Sequence, residues 1–457
     1  MKNLCNVFFL ILSALILSGC AAALLETPYE RPDVILPEAW QGKVTNNDVT
    51  QHDRWWTQFN DQELTILIDH VLEINNDLVV AALRVERARL QAGLADTNLT
   101  PSVSVGADGS VSRNLDGGSS NKRYGTSLSL SYEIDLWGKL ARTRDAAYWE
   151  LQATEFDRLA TRLSLIGTTA QLYWQIAAIN QRIANSEANL ANAERTLQLV
   201  LAQKNAGAVS ALNVVQSEQS LASQRASHES LLMQRDQLCH AFSVLFDQPP
   251  NRLQADTATL SMNDPPRLRE GLPAELLSRR PDLAAAEFRL RKLLAQQDVT
   301  RAQFYPSISL TGSLGTSSDE LRDFLQNPVA ALGARLILPF IEWNTTRLTI
   351  QVAKVEYEEA VINFRKTLYA SFIDVEDALS ARAHYEAQRP LYQTAFDAAR
   401  RAEAIAEERY RVGQTGVQDW LDAQSRRRSA EDTIVQNQYD RLVTQMNLYR
   451  ALGGDDH

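Results

Sequence analysis

Cys20 is the residue whose neighbours point most clearly to a chemical modification. It follows a Leu-Ser-Gly run, which itself follows a positive Lys2 and the apolar core VFFLILSALIL. This order is typical of a secretory signal peptide, and Leu-Ser-Gly-Cys is similar to the bacterial lipobox. We expect residues 1–19 to be removed and Cys20 to carry a covalent N-acyl diacylglycerol (palmitate-type chains), since a stable anchor needs several acyl chains. The alternative is an ordinary signal peptide that is cleaved nearby, with Cys20 unmodified.

The remaining residue patterns do not indicate catalysis or metal binding. Six histidines are scattered without ligand-like spacing. The sequence has neither a Gly-rich phosphate loop followed by Lys-Ser or Lys-Thr nor a Gly-x-Ser-x-Gly elbow. The net charge of −10 argues against a nucleic-acid partner. We therefore expect no enzyme activity, no metal and no cofactor beyond the lipid on Cys20.

A long internal repeat organises the chain. Trp137 matches Trp343 and Gly207 matches Gly413, each 206 positions on. A period of this length indicates a duplicated half-protein and not a short solenoid repeat. The predicted divisions are a signal peptide (1–19), a lipidated N-terminal strap rich in proline (20–60), a first repeat (61–260), a second repeat (261–454) and a polar, mobile tail (455–457).

Each repeat contains a predicted β-hairpin, at about residues 102–136 and about residues 307–341. Between 127 and 136 apolar residues alternate with serine and acidic residues, and the second hairpin extends its apolar face to Leu338 and Phe340. Such alternation is typical of membrane β-barrel strands, with one face toward lipid and the other toward water. The alternative is a hairpin packed on a soluble core.

Long helices follow the hairpins. Helices are predicted over 61–98, 139–204, 211–246 and 274–303. A further long helix is predicted to end at Arg411, and its return helix to end at Gly453-Gly454. Apolar residues recur by threes and fours in two seams, Leu159 to Ala177 and Val361 to Leu379. The helix over 139–204 would be on the order of 100 Å long, so it needs equally long helical partners. Pro281 is expected to begin a helix, and Pro390 to kink or interrupt one.

Four amphipathic strands cannot close a barrel, and open sheet edges do not occur in hydrocarbon. Single-chain barrels begin at about eight strands. Three copies of the chain would supply twelve strands and would also arrange the helices around one axis. No segment after the signal peptide offers the roughly 18 uncharged apolar residues of a membrane-spanning helix.

The chain resembles the outer membrane factor (TolC-like) family, in its NodT-type lipoprotein branch of RND-type tripartite efflux systems. The resemblance rests on the Leu-Ser-Gly-Cys box and on YEIDLWGKL, SRRPDLAAAE, FYPSISLTGSLG and YRVGQTGVQDWLDAQ. It implies an α+β membrane protein, namely a trimeric twelve-stranded barrel in the outer membrane of a Gram-negative bacterium, continued by a helical periplasmic tunnel. The implied partners are a periplasmic adaptor, an inner-membrane RND-type transporter and outer-membrane lipid.

The resemblance also implies a periplasmic gate at the two glycine turns, closed in the family by rings of Asp and by interhelical polar pairs. The matching positions are Asp422, Asp419, Tyr410 and Arg411, with Asn213 where relatives often carry Asp. Carboxylate rings select cations and repel one another, and Tyr410 and Arg411 are expected to contact the neighbouring helix pair. The alternative is an ordinary solvated helix end.

The implied function is passive conduction of drugs or other small toxic molecules out of the cell. One alternative is the export channel of a type I secretion system, whose cargo is a protein. Another is a coiled-coil lipoprotein without a pore that tethers envelope layers, although a tether has no use for amphipathic strands.

Overall fold

A computed structural model describes residues 25–41, 54–113, 116, 120–250, 260–266, 273–323 and 325–454 of the chain. The expected signal peptide, the expected lipid site at Cys20 and the tail 455–457 lie outside these residues. The helices are α1 (Gln62–Ile74), α2 (Asn76–Thr97), α3 (Lys139–Asn205), α4 (Ala211–Val244), α5 (Leu276–Arg279), α6 (Pro281–Ala302), α7 (Trp343–Arg411) and α8 (Val417–Ala451). The strands are β1 (Ser102–Arg113), β2 (Ser120–Ile134), β3 (Ser307–Ser318) and β4 (Pro328–Ile337).

Each helix in these described ranges is either too short or too polar to span the hydrocarbon core of a bilayer.

The four strands form one antiparallel sheet in the order β1-β2-β3-β4. Leu128 lies opposite both Val105 on β1 and Leu314 on β3, and Ile308 lies opposite Leu336 on β4. Because opposite residues share a face, the predicted alternation gives one apolar and one polar face. The apolar side chains are 43–94% exposed: Val103, Val105, Leu128, Leu130, Leu310, Leu314, Leu332 and Leu336. No described segment covers this face, contrary to the soluble-core alternative.

The second hairpin ends earlier than its apolar pattern suggested. Strand β4 ends at Ile337, and Pro339–Ile341 forms a 3-10 turn. Leu338 and Phe340 therefore lie beyond the paired strand. Proline has no backbone N–H to donate to a ladder, so Pro339 ends the pairing.

The two longest helices, α3 with 67 residues and α7 with 69, carry the predicted seams toward the protein interior. Ile166, Ala170 and Tyr173 on α3 are at most 2% exposed, and Leu368 and Val375 on α7 are fully buried. The predicted helix periodicity is therefore correct. At its end each long helix enters a turn at a glycine with φ 76°, and α4 or α8 follows.

Three helix predictions need correction or refinement. The expected single helix over 61–98 is two helices, because Asn75 is extended and uses its side chain to accept from Asp77 N and to donate to Leu245 O. The segment 274–303 breaks at Arg280, and Pro281 begins α6 as predicted. Helix α7, in contrast, continues through Pro390.

The backbone around Pro390 finds other hydrogen-bond partners. Glu386, four residues earlier, is exposed, so water can bond the carbonyl that lacks its usual donor. The Asn437 amide donates to the neighbouring carbonyl of Tyr385 at 3.2 Å. Helix α7 is therefore not interrupted at Pro390, where a kink or an interruption was expected.

Contacts divide the described chain into two compact units. The first contains residues 25–34, 83–157 and 284–367, and includes the whole sheet. Within it the strap donates from Thr27 N and Oγ1 to the buried Asp298 carboxylate, at 2.9 and 2.7 Å. Arg31 pairs with Glu287 at 2.7 Å. The extended strap predicted from its prolines is thus fixed to α6 in this unit.

The second unit contains residues 35–82, 158–250, 260–266, 273–283 and 368–454, and includes both glycine turns. Its core holds Trp55 and Trp56, each 1% exposed, in the short helix that ends just before α1. Trp55 stacks on Tyr449 with ring centroids 4.7 Å apart.

The two glycines that follow α8 are packed within the second unit. Gly453 and Gly454 are buried with φ of 97° and 75°. A Cβ at Gly453 would lie 2.4 Å from the Arg279 carbonyl oxygen, so only glycine fits there.

Candidate functional site

The two glycine turns have the same backbone geometry. At the first turn Ala208 N donates to Gln203 O, and at the second Gln414 N donates to Arg409 O, at 2.9 and 2.8 Å. These bonds span the turn and require the left-handed conformation that glycine adopts at Gly207 and Gly413. Any functional difference between the turns must therefore come from their side chains.

One hydrophobic cluster holds both turns together within the second unit. Its buried members come from all four helices that meet there: Val200, Val214, Tyr410, Val417, Trp420 and Leu421. The Tyr410 and Trp420 rings lie 5.5 Å apart. The long helices and their return helices thus end in a shared apolar core, which fixes the position of the side chains around it.

Tyr410 joins the two helix pairs by a hydrogen bond. Its side chain is 3% exposed, and its hydroxyl donates to the Gln203 Oε1 atom on α3. Burial raises the pKa of the Tyr410 phenol, so the hydroxyl keeps its proton and remains a donor. The expected contact to the neighbouring helix pair is thus present for Tyr410, and it lies within one chain.

The Arg411 side chain contacts its own helix and not the first glycine turn. It pairs with Glu407 on its own helix at 2.5 Å, and its side chain is 58% exposed. Asn213 accepts from Ser210 at 3.3 Å, which is also a local contact. Among the described residues, neither Arg411 nor Asn213 forms a bond that links the two helix pairs.

Asp419 and Asp422 lie exposed on α8, just after the second turn. Asp422 Oδ1 accepts from Gln418 Nε2 at 2.7 Å. Residues three apart share a helix face, so the two carboxylates form one acidic strip. The first turn carries the uncharged Asn213 and Gln216 at the corresponding positions, 206 residues earlier, and both are half-buried. The second turn is therefore the more acidic of the two near its return helix.

A network of polar contacts around Arg427, whose side chain is 14% exposed, lies further along α8. Arg427 Nε donates to Glu403 at 2.5 Å and Nη1 donates to Glu431 at 2.8 Å, while Nη2 bonds Asn189. Burial, and then the nearby Arg427 charge, lower the pKa of Arg428. Successive helical residues point in different directions, so of the three neighbours Arg426, Arg427 and Arg428 only Arg426 is exposed.

Sequence reasoning missed Gln203 and the Arg427 network. Gln203 lies four residues before Gly207, but nothing in its local sequence pairs it with Tyr410. Of the Arg427 partners, only Glu431 carried a signal, namely its i,i+4 spacing. Within the described residues, no three His, Cys, Asp or Glu side chains are grouped so that they could hold a metal ion.

Known proteins resemble this chain over most of its length. Residues 67–241 and 272–454 match the family model described as outer membrane efflux protein. The pyoverdine export outer membrane protein OpmQ of Pseudomonas putida is 34% identical over 430 residues, which cover 92% of each chain.

Solved structures share the fold. The CmeC outer membrane channel of Campylobacter jejuni superposes with a TM-score of 0.87 at 25% identity and covers 94% of each chain. The open state of the MtrE outer membrane channel of Neisseria gonorrhoeae gives 0.80 at 30% identity, over 94% of this chain and 99% of that one. These likenesses confirm the predicted fold class, a four-stranded sheet continued by long helices.

Proposed function

The chain belongs to the outer membrane efflux protein family, and on that premise we propose that three copies form one channel that conducts solutes passively across the outer membrane. As a member of this family it is an outer-membrane efflux channel. The observation that supports the trimer is the sheet, which has one exposed apolar face and two outer edges. Hydrocarbon does not tolerate such edges, so they need partners from other copies.

The partners we propose are a periplasmic adaptor and an inner-membrane RND-type transporter, which would supply both substrate and energy. The chain itself would perform no catalytic step. The substrates would be drugs or other small toxic molecules. The relative that is 34% identical is named for pyoverdine export, which makes small exported solutes the first class to test.

The experiment for this function is growth of a deletion strain on a panel of antibiotics, dyes and metal ions. Restored growth with the wild-type gene identifies the substrates. Single-channel conductance of the purified protein in planar bilayers then distinguishes a pore from an envelope tether. A protein that inserts but conducts no current would contradict the proposal.

We propose that the turn region is the periplasmic gate. Threefold symmetry would bring three copies of Asp419 or Asp422 near one axis, and a ring of carboxylates favours cations. Tyr410, held by Gln203, would set the spacing of the two helix pairs. Arg411 and Asn213 would act only if a second copy lies against them, since their contacts within the chain are local.

The gate is tested by two variants. Tyr410→Phe with Arg411→Glu removes the bond to Gln203 and places a second carboxylate beside Glu407, so we expect a larger single-channel conductance. Arg409→Glu, an exposed charge change on the same helix turn, is the control. Asp419→Asn with Asp422→Asn should lower cation selectivity, measured as the reversal potential, while Glu229→Gln should not. Unchanged conductance and selectivity would count against the gate.

We also propose the lipid anchor at Cys20, which the lipobox-like sequence supports. Cys20→Ser should abolish incorporation of labelled fatty acid, and Cys239→Ser should leave it unchanged, since Cys239 is buried. Labelling that persists in the Cys20 variant would exclude this site.

A further inference from the structure

The internal repeat relates the strands of the two hairpins by fixed offsets. Pro101 precedes β1 as Pro306 precedes β3, an offset of 205, while β2 and β4 are offset by 206 like their tryptophans. Ser102 lies opposite Ser131 in the first hairpin. Adding these offsets to the two residue numbers gives Ser307 and Ile337, which lie opposite each other in the second hairpin. The repeat therefore preserves strand register residue by residue.

The central strand pair has no equivalent within one chain. Strands β2 and β3 join the two repeats, but their repeat equivalents, β4 and β1, lie at opposite edges of the sheet. The equivalent contact can form only between β4 of one copy and β1 of another. This step rests on the proposed trimer.

We propose that β4 pairs antiparallel with β1 of a second copy in the register of β2 and β3, which sets Arg335 directly opposite Asp108. The register follows from the pair Ser129–Ser313, whose repeat equivalents are Arg335 and Asp108. The other pairs run from Ile337 opposite Gly106 to Ala330 opposite Arg113. Each subunit boundary of the barrel would then carry this charge pair on the polar face of the sheet.

Charge complementarity supports this register independently of the repeat. Arg335 is the only charged residue of β4, and Asp108 is the only carboxylate of β1. Both are exposed, and neither forms an ion pair within the described part of the chain. Opposite charges directly across two strands stabilise the pairing, whereas other registers would leave both without a partner.

The proposed register also places the apolar face of β4 beside the apolar face of β1 from the second copy. In this register Leu332, which is 94% exposed, lies opposite Val111, and Leu336 lies opposite Ala107. The apolar face therefore continues from one copy to the next. A slip by one residue would move the apolar side chains of β4 to the polar face. A slip by two would keep the faces but would separate Arg335 from Asp108.

Disulfide cross-linking tests the register. In a Cys239→Ser background, Arg335→Cys with Asp108→Cys should give covalent oligomers on a non-reducing gel. The controls combine Arg335→Cys with Gly106→Cys or Ser110→Cys, each two residues away on the same face. Diagonal neighbours lie about 7–8 Å apart, beyond ordinary disulfide reach, so we expect cross-linking at least about tenfold slower.

Oligomeric state, measured by light scattering in detergent, separates the two proposals. An oligomer that cross-links fastest through a control pair overturns the register but leaves the trimer intact. A protein that is monomeric in detergent and in the membrane overturns both.

Charge exchange provides a second readout. Arg335→Asp and Asp108→Arg should each lower the temperature at which the oligomer dissociates, because like charges would then face each other. The double exchange should restore it toward the wild-type value. Single variants that dissociate at the wild-type temperature, or a double variant without recovery, would overturn the Arg335–Asp108 pair.

Discussion

At the scale of single residues, Arg427 shows how a buried charge can organise several helices. Its side chain is 14% exposed and bonds groups on α3, α7 and α8. The two carboxylates that it contacts, Glu403 and Glu431, are 17% and 25% exposed. Such partners lose most of their hydration, so they depend on the guanidinium group for compensation.

Replacing Arg427 by Ala should therefore destabilise the protein by about 3 kcal/mol, because two poorly hydrated carboxylates would lose their counter-charge. The neighbouring Arg426→Ala removes the same kind of charge from an exposed position and should change stability by less than about 0.5 kcal/mol. Urea unfolding midpoints in detergent compare the two. Equal effects would show that the network does not stabilise the fold.

A second charged contact should respond to pH. Asp264 accepts from the buried Arg441 at 2.7 Å and also pairs with Arg389. The hydrogen bond from Arg441 holds the pKa of Asp264 below its ordinary value, helped by the Arg389 charge. A lowered carboxyl pKa contributes stability above the unfolded-state pKa, and this contribution is lost as the pH falls through the folded-state pKa.

We therefore expect segment 260–266 to loosen as the pH falls below about 4, the ordinary carboxyl pKa. Peptide-level hydrogen exchange of this segment, corrected for intrinsic rates, measures the change. Asp264→Asn should be looser at neutral pH and should lose this pH response. A variant that retains the wild-type response would assign it to another group.

At the scale of elements, two glycines of the second turn allow the effect of backbone strain to be distinguished from the effect of packing. Gly413 has φ 76°, whereas Gly416, three residues later, has φ −74°, and an added Cβ would meet nothing within 4 Å at either position. Only the backbone conformation distinguishes the two. L-residues other than glycine are strained at positive φ.

Gly413→Ala should cost about 1–2 kcal/mol, while Gly416→Ala should be close to neutral. The measurement is the unfolding midpoint together with hydrogen exchange across residues 408–418. Equal costs would mean that contacts with a partner, and not φ, decide what fits at this turn.

The elements also show what the sequence could predict. Heptad seams and strand alternation are local patterns, so the long helices, both hairpins and the start at Pro281 followed from them. The break at Asn75 depends on its bond to Leu245, which is distant in sequence. The turn residues could be named as candidates because their pattern is local. The Tyr410–Gln203 bond could not be predicted, because it joins residues 207 positions apart.

At the scale of the whole molecule, the sheet must meet lipid on one face and water on the other. Leu130 points to the apolar face and its neighbour Ser131 to the polar face, and both belong to β2. Leu130→Arg should cost about 2–4 kcal/mol if it lies near the bilayer centre, and Ser131→Arg much less. The yield of heat-modifiable protein in outer membranes compares the variants. If Ser131→Arg is the more damaging, the assignment of faces is wrong.

The assembly of the two compact units from both repeats has a consequence for biogenesis. Strand β2 must wait for β3, as the contact between Thr126 and Thr316 spans 190 positions. A chain that is exported from its N-terminus presents its first hairpin, with an apolar face and open edges, long before the partner strand arrives. Non-local pairing is slow and such intermediates aggregate. We therefore expect the first repeat to need a holding chaperone until the second repeat has been exported and can supply β3.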